Sequence, residues 1–488
     1  MRGARRFDDD TLDRLRSQTT ALGEAGYTYD ALGRRTAMTV PGQAPVSYAY
    51  DAASRLTSMT QDSSLVQFAY DAASRRTTLT LPNGVRAQYG YDTASRLTSL
   101  THNLGATVLG DLQYTYDPAG NRTRVGGSWT RTGLPQPVAA ATYNANNQQL
   151  TFGSQTLTYD FNGNLTGDGT STYTWTARNQ LATISGPVPA SFVYDGAGRR
   201  MRTTINGMVT DVLYDGVNSI QEVSRAAAAS LLTGLGIDEY FVRTDTGGAS
   251  VLLTDALGST VALTDPTGAV QTQYTYEPFG QATTTGPASS NLFQYTGREN
   301  DGTGLYYYRA RYYHPQLQRF VSEDPIAFTA SDPNLYVYVR NNPMFWLDPD
   351  GLRVLNPRNY PISPDVRRAL EHFNTYIGAD KDVLITGGDR PVSSRLGARG
   401  RSTHVQGIAA DVVVPGQAHS VTTYQAIESG LFGGVGWYEE GYRGPEGEGP
   451  HVHVDLRRVP ATWGYDREGN YYQPLPPLLP NPMAGRKP

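Results

Sequence analysis

From about residue 20 to residue 350, apolar and polar residues alternate along the chain with a period of two. Each short alternating run, such as residues 48–50, ends at an aspartate, and a turn of the form Asp-x-x-Gly or Asp-x-x-Ser follows. An arginine and then Leu or Thr open the next run. Alternation punctuated by Asp and Gly predicts successive β-hairpins. Because one hairpin cannot bury its apolar face alone, we expect the hairpins to stack into one continuous sheet.

The alternating runs form an internal repeat built on Tyr-x-Tyr-Asp. The early aspartates are 20 to 25 residues apart, and the repeat explains why the chain has 33 tyrosines but only 13 phenylalanines. The copies end at Asp30, Asp51, Asp71, Asp92 and Asp117, with looser copies ending at Asp160, Asp195 and Asp215 and a last one at Glu277. We interpret the tyrosines as cross-strand packing residues and the aspartates as turn residues, rather than as a carbohydrate site.

The pattern changes after residue 352. A proline-punctuated linker is predicted at 353–364, a helix at 364–377, a strand at 383–386, a second helix at 422–431 and a glycine-rich strand at 433–438. The tail at 473–488 is rich in proline and is predicted to be disordered. The sequence therefore predicts a mainly β protein. Its parts are a region of stacked hairpins at 1–352, a linker, a small α+β domain at 365–472 and a tail.

The composition and net charge of the chain exclude several classes of protein. The net charge is −4 and 18% of the residues are charged, so no basic stretch indicates a nucleic-acid binder. The chain has no cysteine, which excludes a disulfide framework and thiolate metal ligands. The basic first residues are not followed by an apolar segment, and no run is long enough to span a membrane. We therefore expect no classical signal peptide and no membrane span.

Residues with metal-binding chemistry are concentrated near the end of the chain, where five of the seven histidines follow residue 370. His404 and Asp411 are separated by six residues, and His453 follows His451 by two. Two imidazoles and a carboxylate can hold Zn²⁺ and leave a fourth position for water. Residues two apart in a strand point to the same face, so one of the paired histidines can bind the metal while the other reaches that water.

Two segments carry a resemblance to a known family. Residues 402–411 fit the pattern Ser-x-His-x-x-Gly-x-Ala-x-Asp, and an apolar run at 451–457 carries His-x-His-x-Asp-x-Arg. Together they resemble the M15 family of zinc D-alanyl-D-alanine peptidases. The resemblance implies that His404, Asp411 and His453 are zinc ligands and that His451 is the catalytic base.

The same resemblance gives roles to three further residues. Arg390 would bind a substrate carboxylate or the developing oxyanion, because a guanidinium matches carboxylate geometry. Ser402 would hold the substrate backbone, and Asp455 would orient a ligand histidine. The implied activity is that of a zinc-dependent D,D-carboxypeptidase or endopeptidase.

The tyrosine repeat resembles the YD repeat of the Rhs and teneurin-type families, whose repeats spiral into a hollow β-shell. The resemblance covers roughly residues 20 to 350. Its clearest part is a terminal core at 255–259, 295–298, 304–313, 319–320, 323–326, 334–336, 341–343 and 348–352. The repeat region is short for a closed shell and starts in mid-pattern, which predicts a fragment of a longer protein.

The terminal core ends in Asp-Pro-Asp-Gly-Leu at 348–352. In the Rhs proteins that it resembles, the chain cuts itself just after this motif, and the downstream domain is a variable effector. Two carboxylates held close can share one proton and act as an acid/base pair on a peptide bond. Asp348 and Asp324 match the family's motif positions, and Asp332 is an alternative partner. The resemblance thus implies a cut between Leu352 and Arg353.

The favoured function is therefore an Rhs-type toxin whose zinc domain hydrolyses D-alanyl bonds of peptidoglycan. It would be made in the bacterial cytoplasm and exported by a specialised secretion system to act in the periplasm or cell wall. The expected partners are peptidoglycan peptides, its own shell around the effector and an immunity protein, with no nucleic acid. One alternative is a structural YD-repeat surface protein whose zinc domain binds without cutting. Another is an HNH-like nuclease, which the histidine spacing does not favour.

Overall fold

The structure is a computed structural model that describes residues 6–351, with gaps at 12–13, 119, 131–132, 197, 226 and 326–332. Downstream of residue 351 it describes only the strands given below. The chain forms two compact units. The first comprises Met1–Glu323 and Tyr336–Gly351, and the second comprises Asp324–Leu335 and Leu352–Pro488.

Three sheets of the first unit follow the order of the sequence, and all their neighbouring strands are antiparallel. The first, 12-stranded sheet contains β1 (Arg6–Asp9), β2 (Leu15–Thr20), β3 (Gly23–Tyr29), β4 (Arg35–Thr39), β5 (Val46–Tyr50), β6 (Leu56–Gln61), β7 (Ser64–Tyr70), β8 (Arg76–Thr80), β9 (Val85–Tyr91), β10 (Leu97–Leu104), β11 (Thr107–Tyr116) and β12 (Arg122–Gly126). A three-stranded sheet contains β13 (Ala141–Tyr143), β14 (Gln149–Phe152) and β15 (Gln155–Thr156). A 14-stranded sheet contains β16 (Thr158–Tyr159), β17 (Leu165–Gly167), β18 (Thr172–Trp175), β19 (Leu181–Ser185), β20 (Ala190–Tyr194), β21 (Arg200–Ile205), β22 (Met208–Asp215), β23 (Asn218–Ser224), β24 (Ala228–Thr233), β25 (Tyr240–Asp245), β26 (Gly248–Thr254), β27 (Thr260–Thr264), β28 (Val270–Tyr276) and β29 (Ala282–Thr285).

A four-stranded sheet completes the first unit with β30 (Glu299–Asn300), β31 (Tyr306–Tyr308), β32 (Arg311–His314) and β33 (Arg319–Phe320). Within the described residues, single 3-10 turns lie at Tyr295–Gly297 and Val339–Asn341. In the part of the chain that the structure describes, no helix has the length and apolar character needed to cross a membrane.

The aspartate of each repeat builds the turn after its strand. Asp51 shows the arrangement: its Oδ1 accepts hydrogen bonds from the backbone N–H groups of Ala53 and Arg55, both at 2.9 Å, and its Oδ2 accepts one from Arg55 Nε at 2.7 Å. Ser54 stands in the left-handed region with φ of 62°, where Gly33 stands in the first copy with φ of 78°. This geometry explains the glycine of the Asp-x-x-Gly turn.

The arginine and the second tyrosine of the repeat tie one hairpin to the next. Arg55 donates from Nη1 to the carbonyl of Asp71 at 3.1 Å, and its guanidinium lies 5.0 Å from the centre of the Tyr70 ring. The Tyr70 hydroxyl in turn donates to the carbonyl of Leu56 at 2.8 Å. The interpretation of these residues as packing and turn residues is confirmed, because their polar atoms are used within the repeat.

Several copies of the turn, including one at Asp265, were missed by the repeat pattern, and one predicted copy is different. Asp10 accepts hydrogen bonds from Arg14 in the same way. Asn144 takes the place of the aspartate in another turn, and its Oδ1 accepts a hydrogen bond from the backbone N–H of Gln148. Asp215, which was expected to build a turn, instead forms an ion pair with Arg35 of the 12-stranded sheet, with Arg35 Nη2 3.1 Å from its Oδ1.

Acid is expected to loosen the repeat turns. Burial acts to raise the pKa of Asp51 and Asp71, but hydrogen bonds from Arg55 and Arg75 outweigh it and hold each pKa below its usual range. A depressed folded pKa gives stability that is present above the unfolded value of about 4 and is lost as the pH falls through the folded pKa. We therefore expect the urea midpoint to fall steadily below about pH 4. Asp51→Asn and Asp71→Asn should flatten that dependence, and slopes identical to wild type would contradict this assignment.

The 14-stranded sheet packs on the 12-stranded sheet through one shared core cluster. Val66 and Phe68 of β7 lie in this cluster with Phe241, Val242 and Leu253 of the larger sheet. The rings of Phe68 and Phe241 meet edge to face with their centroids 5.8 Å apart. Burying side chains of this size contributes about 1.5–3 kcal/mol each. The two long sheets therefore form one packed body rather than two independent layers.

The four-stranded sheet lies inside the fold of the 14-stranded sheet. Tyr306 and Tyr308 of β31 belong to one buried cluster with Leu252, whereas Tyr307 between them belongs to a second cluster with Phe192. Successive side chains of a strand point to opposite faces. The two faces of this small sheet thus contact different parts of the larger sheet, which curls around it.

Seven strands of the second unit are described, and they form one mixed sheet in the order β34-β35-β36-β38-β37-β39-β40. They are β34 (Val354–Leu355), β35 (Val383–Gly387), β36 (Ala409–Val413), β37 (Gly434–Tyr438), β38 (Val452–Asp455), β39 (Ala461–Tyr465) and β40 (Tyr471–Tyr472). Strands occur where they were predicted at 383–386 and 433–438. The helices predicted at 364–377 and 422–431 and the tail at 473–488 lie outside the described residues.

Candidate functional site

The predicted self-cleavage motif is held by the tyrosine-rich hairpin of β31 and β32. Tyr308 pairs with Arg311 at the end of the hairpin, and Arg309 and Ala310 form its two-residue turn. Arg309 stands in the left-handed region with φ of 57°, which a non-glycine residue adopts only at a cost. The backbone N–H of Ala310 donates to the carbonyl of Asp350 at 3.1 Å, so the turn of the hairpin is fixed against the motif.

Arg311 connects the hairpin to Asp348 and to Gly351 of the motif. Its Nε donates to the carbonyl of Gly351 at 2.8 Å, and its Nη2 lies 3.3 Å from Asp348 Oδ2. The guanidinium also lies 3.6 Å from the centre of the Phe320 ring. The Arg311 and Asp348 side chains are only 1% and 2% exposed. A charge buried this deeply is tolerated because it is paired and hydrogen-bonded, and removing one partner is strongly destabilising.

Arg309 holds the middle of the motif. Its Nη1 donates to the carbonyl of Pro349, and its Nη2 lies 2.6 Å from Asp238 Oδ1. The carboxylate of Asp350 lies 3.6 Å from Nη1. Burial acts to lower the pKa of Arg309, but the Asp238 and Asp350 carboxylates outweigh it and raise that pKa well above its ordinary value. The guanidinium is therefore a permanent cation beside the Pro349 carbonyl.

Gly351 is required by close approach of the backbone. Its φ is 65°, and a Cβ atom built on it would lie 2.5 Å from the carbonyl oxygen of Tyr308. Its N–H donates to the carbonyl of Asp348 at 3.4 Å, which closes the turn. Two guanidinium groups thus hold the carbonyls of Pro349 and Gly351, immediately before the predicted cut between Leu352 and Arg353. Those last two residues lie outside the described residues.

Gly351→Ala is expected to destabilise the chain by roughly 2–5 kcal/mol, because left-handed φ costs about 1–2 kcal/mol and the clash with Tyr308 adds about 1–3 kcal/mol. Gly302 is the matched control, since its φ is 73° and a Cβ there would meet no atom within 4 Å. Gly302→Ala should therefore cost only the backbone term of about 1–2 kcal/mol. Urea unfolding of both variants measures the difference, and equal losses would refute the close approach.

Asp324, the predicted partner of Asp348, is only 5% exposed, and its backbone N–H donates to the carbonyl of Leu335 at 2.9 Å. Asp324 begins the segment that is grouped with the second unit, whereas Asp348 belongs to the first. Asp332, the alternative partner, lies outside the described residues. The structure therefore places both matching aspartates in buried positions, each within its own unit.

Two of the three predicted zinc ligands lie on neighbouring strands. Asp411 of β36 and His453 of β38 occupy directly opposite register positions of an antiparallel pair. On its other side His453 faces Gly436 of β37. Residues directly opposite in an antiparallel pair have Cβ atoms about 4.5–5.5 Å apart, so this register fits a shared metal ion. Asp455 lies at the end of β38, opposite Ala409 and Gly434.

The remaining residues of the predicted zinc site, His404, His451, Ser402 and Arg390, lie outside the described residues. Among the residues that the structure does describe, no group of three or more His, Asp or Glu residues could hold a metal ion. The predicted zinc site therefore depends on the segment that carries His404, and its predicted catalytic base lies in the segment that carries His451.

Sequence reasoning missed the residues that hold the motif from a distance. Arg309 and Arg311 were noticed only as part of a tyrosine-rich run, and Asp238 was not singled out at all. Asp238 is 71 residues from Arg309 along the chain, so no local spacing could reveal the pair. The only signal was the position of two arginines on one tight hairpin, separated by a single small residue.

The protein-family models that match this chain cover residues upstream of the predicted zinc-binding segments. The model described as "Teneurin YD-shell" matches residues 86–344, which is more than half of the chain. The model described as "RHS Repeat" matches residues 10–45 and 50–86. Both expectations about the repeat region, its family and its mainly antiparallel β structure, are confirmed.

Individual relatives include bacterial toxins. The chain is 32% identical over 265 residues to "tRNA nuclease WapA" of Bacillus subtilis, a match that covers 49% of this chain and 11% of the relative. It is 26% identical over 317 residues to "Toxin subunit YenC2" of Yersinia entomophaga, covering 56% of this chain and 32% of the relative. The chain thus spans about a tenth to a third of the length of these relatives.

A solved structure shares the fold. The Tc holotoxin pore of Photorhabdus luminescens aligns with a TM-score of 0.56 and 19% sequence identity. The alignment covers 73% of this chain and 24% of that one. At this identity the likeness concerns the fold alone.

Proposed function

This chain belongs to the teneurin YD-shell family, and from that premise we propose that it is an Rhs-type toxin that cuts itself between Leu352 and Arg353. Residues 1–352 would form the shell, and the segment after the cut would be the effector that the shell encloses. The similarity to a toxin subunit supports this proposal. The observation that carries it is the pair of guanidinium groups on the carbonyls of Pro349 and Gly351.

The proposed cut is a hydrolysis that uses two carboxyl groups. Water adds to the carbonyl carbon of Leu352 while one carboxylate takes its proton. The other carboxyl gives a proton to the amide nitrogen of Arg353 as the C–N bond breaks, which leaves a carboxylate on Leu352 and an amine on Arg353. Asp348 and Asp324 are the proposed pair. Arg309 and Arg311 would fix the backbone before the bond, because catalysis depends on holding the reacting group within a narrow range of positions.

For the effector we propose a zinc peptidase that hydrolyses D-alanyl bonds of peptidoglycan. Zinc, when bound by His404, Asp411 and His453, would polarise the scissile carbonyl and acidify the attacking water. His451 would accept the proton of that water and pass it to the leaving amine. Arg390 would bind the substrate carboxylate, Ser402 its backbone, and Asp455 would orient a ligand histidine. The opposite register positions of Asp411 and His453 support this assignment.

Delivery and partners form part of the same proposal. The toxin would be made in the bacterial cytoplasm, exported by a specialised secretion system to the periplasm or cell wall, and neutralised in the producing cell by an immunity protein. The sequence alone favoured no nucleic-acid partner, but one relative is named as a tRNA nuclease and none of the relatives named here is a peptidase. Nucleic acids therefore belong in the test.

A second candidate function, a zinc domain that binds peptidoglycan without cutting, follows from the same ligand set.

The experiment uses the purified full chain. It is incubated with muropeptides, with tRNA and with double-stranded DNA, in zinc and in chelator, and the products are read by mass spectrometry and gels. Release of D-alanine or split D-alanyl crosslinks, lost in chelator and restored by zinc, is expected. Cut nucleic acid with intact muropeptides would overturn the peptidase. Muropeptides that bind the zinc-loaded chain but stay unchanged would favour the binding function.

A further inference from the structure

The loop at 234–239, between β24 and β25, touches two distant parts of the shell through adjacent residues. Glu239 Oε1 lies 2.7 Å from Arg76 Nη2, which belongs to β8 of the 12-stranded sheet. Its neighbour Asp238 lies 2.6 Å from Arg309 Nη2 and 2.5 Å from Arg298 Nη1. One loop therefore contacts the repeat sheet on one side and the hairpin that holds the cleavage motif on the other.

The loop is built to hold both carboxylates in place. Asp238 stands in the left-handed region with φ of 56°, and its backbone N–H donates to Asn218 Oδ1 at 2.9 Å. The N–H of Gly234 donates to the carbonyl of Glu239 at 2.7 Å. A Cβ atom on Gly234 would lie 1.9 Å from Glu239 Oε2, so a side chain at this position would displace the carboxylate. Because the two acidic residues are consecutive in a constrained loop, a shift of the loop backbone moves both of them.

Asp238 transmits the position of the loop to the motif through Arg309. The Arg309 guanidinium contacts both carboxylate oxygens of Asp238, at 2.6 Å and 3.2 Å, and the same group donates to the carbonyl of Pro349. The side chains of Arg309 and Asp238 are 10% and 8% exposed, so water screens this contact little. The contacts form a continuous relay: Arg76, Glu239, Asp238, Arg309, Pro349.

We propose that this relay couples self-cleavage to assembly of the shell, so that the cut is made efficiently only when the 12-stranded sheet has docked on the 14-stranded sheet. Arg76, Glu239 and Asp238 are positioning residues in this scheme, since they act on the motif through Arg309. The inference rests on the self-cleavage proposed above. Its consequence is that a chain with an incomplete shell keeps its effector covalently attached.

The test follows cutting over time in cell-free translation of the full chain with a pulse of labelled methionine. Arg76→Gln is expected to slow the appearance of the two fragments by roughly ten- to a hundredfold, because a small misplacement of a reacting group has effects of this size. Arg76→Lys, which keeps the charge, should restore most of the rate. Asp238→Asn should slow the cut similarly. Combining it with Arg76→Gln should add little, because residues of one network are not additive.

Asn83 supplies the matched control. Its Nδ2 donates to Thr264 Oγ1 at 2.8 Å and to the carbonyl of Asp265 at 2.9 Å, so it also joins the two long sheets, but at a place away from the relay. Asn83→Ala should cut at nearly the wild-type rate even if it lowers the urea midpoint as much as Arg76→Gln does. Equal slowing in the two variants would show a general loss of stability and would overturn the relay.

Hydrogen exchange separates the relay from the cleavage chemistry. The N–H groups of Ala310 and Gly351 are bonded within the held motif, and we expect both to exchange faster in Arg76→Gln but not in Asn83→Ala. A wild-type chain that never cuts would overturn self-cleavage, and with it the coupling. A wild-type chain that cuts, with Arg76→Gln matching it in rate and in exchange, would overturn the relay alone.

Discussion

Asp348→Asn is expected to leave the full chain uncut, with a single mass instead of two fragments that end at Leu352 and begin at Arg353. The change keeps the shape of the side chain and removes the carboxylate that lies 3.3 Å from Arg311. Without that carboxylate no acid/base pair remains at the motif, and general acid/base catalysis alone is worth about 10²–10⁴-fold. Intact-mass spectrometry of freshly made protein gives the result directly.

Asp350→Asn is the control for this loss, because Asp350 lies in the same turn with a side chain that is 24% exposed. It should still be cut. Asp324→Asn should behave like Asp348→Asn if the two aspartates form the pair, and Asp332→Asn should do so if the alternative partner is correct. Circular dichroism and urea unfolding show whether each variant is folded. A folded Asp348→Asn chain that yields both fragments would rule out Asp348 as a member of the pair.

The repeat could be read from the sequence because its contacts are local. Asp51 and Arg55 are four residues apart, so a fixed spacing of residue types records the turn that they build. The same logic fails when the residue type changes, as at Asn144, where an amide oxygen takes the place of the carboxylate. The spacing of residue types therefore predicts the turn only where the same residue type builds it in every copy.

The contacts that organise the first unit could not be read in the same way. Arg35 and Asp215 are 180 residues apart, and their pairing depends on how two long sheets pack together. A repeat makes many arginines look alike, and only packing decides which of them meets a carboxylate of the other sheet. The contacts of Arg309 and Arg311 with the motif have the same origin. The hairpin that carries these arginines is distant from the motif in the sequence, and the packing of the small sheet brings the two together.

The zinc segments show a third case. His451 and His453 are two residues apart, and this spacing predicted a strand that carries both. His453 does lie in a strand, β38. The spacing of His404 and Asp411 did not reveal which strand would lie beside β36. The register does so, because it sets Asp411 directly opposite His453 and leaves Gly436 as the other neighbour.

His451→Ala is expected to lower the rate of muropeptide hydrolysis by about 10²–10⁴-fold while the chain keeps its zinc. An attacking water adds to a carbonyl only if a base accepts its proton, and a neutral imidazole has a suitable pKa near neutral pH. The ligand variants should behave differently, since His404→Ala, Asp411→Ala and His453→Ala remove groups that would hold the metal. Zinc content per chain and hydrolysis rate, measured on the same samples, distinguish the two classes.

The comparison of His451→Ala with His453→Ala is the sharpest part of this test. Both remove one imidazole from the same His-x-His segment, so a general loss of folding would affect them alike. Retained zinc with lost hydrolysis in the first, and loss of both in the second, is the expected outcome. If His451→Ala loses zinc as fully as His453→Ala, the two roles are assigned wrongly. If His451→Ala keeps both zinc and full activity, another group accepts the proton, because a residue that transfers the proton in the slow step cannot be removed without lowering the rate.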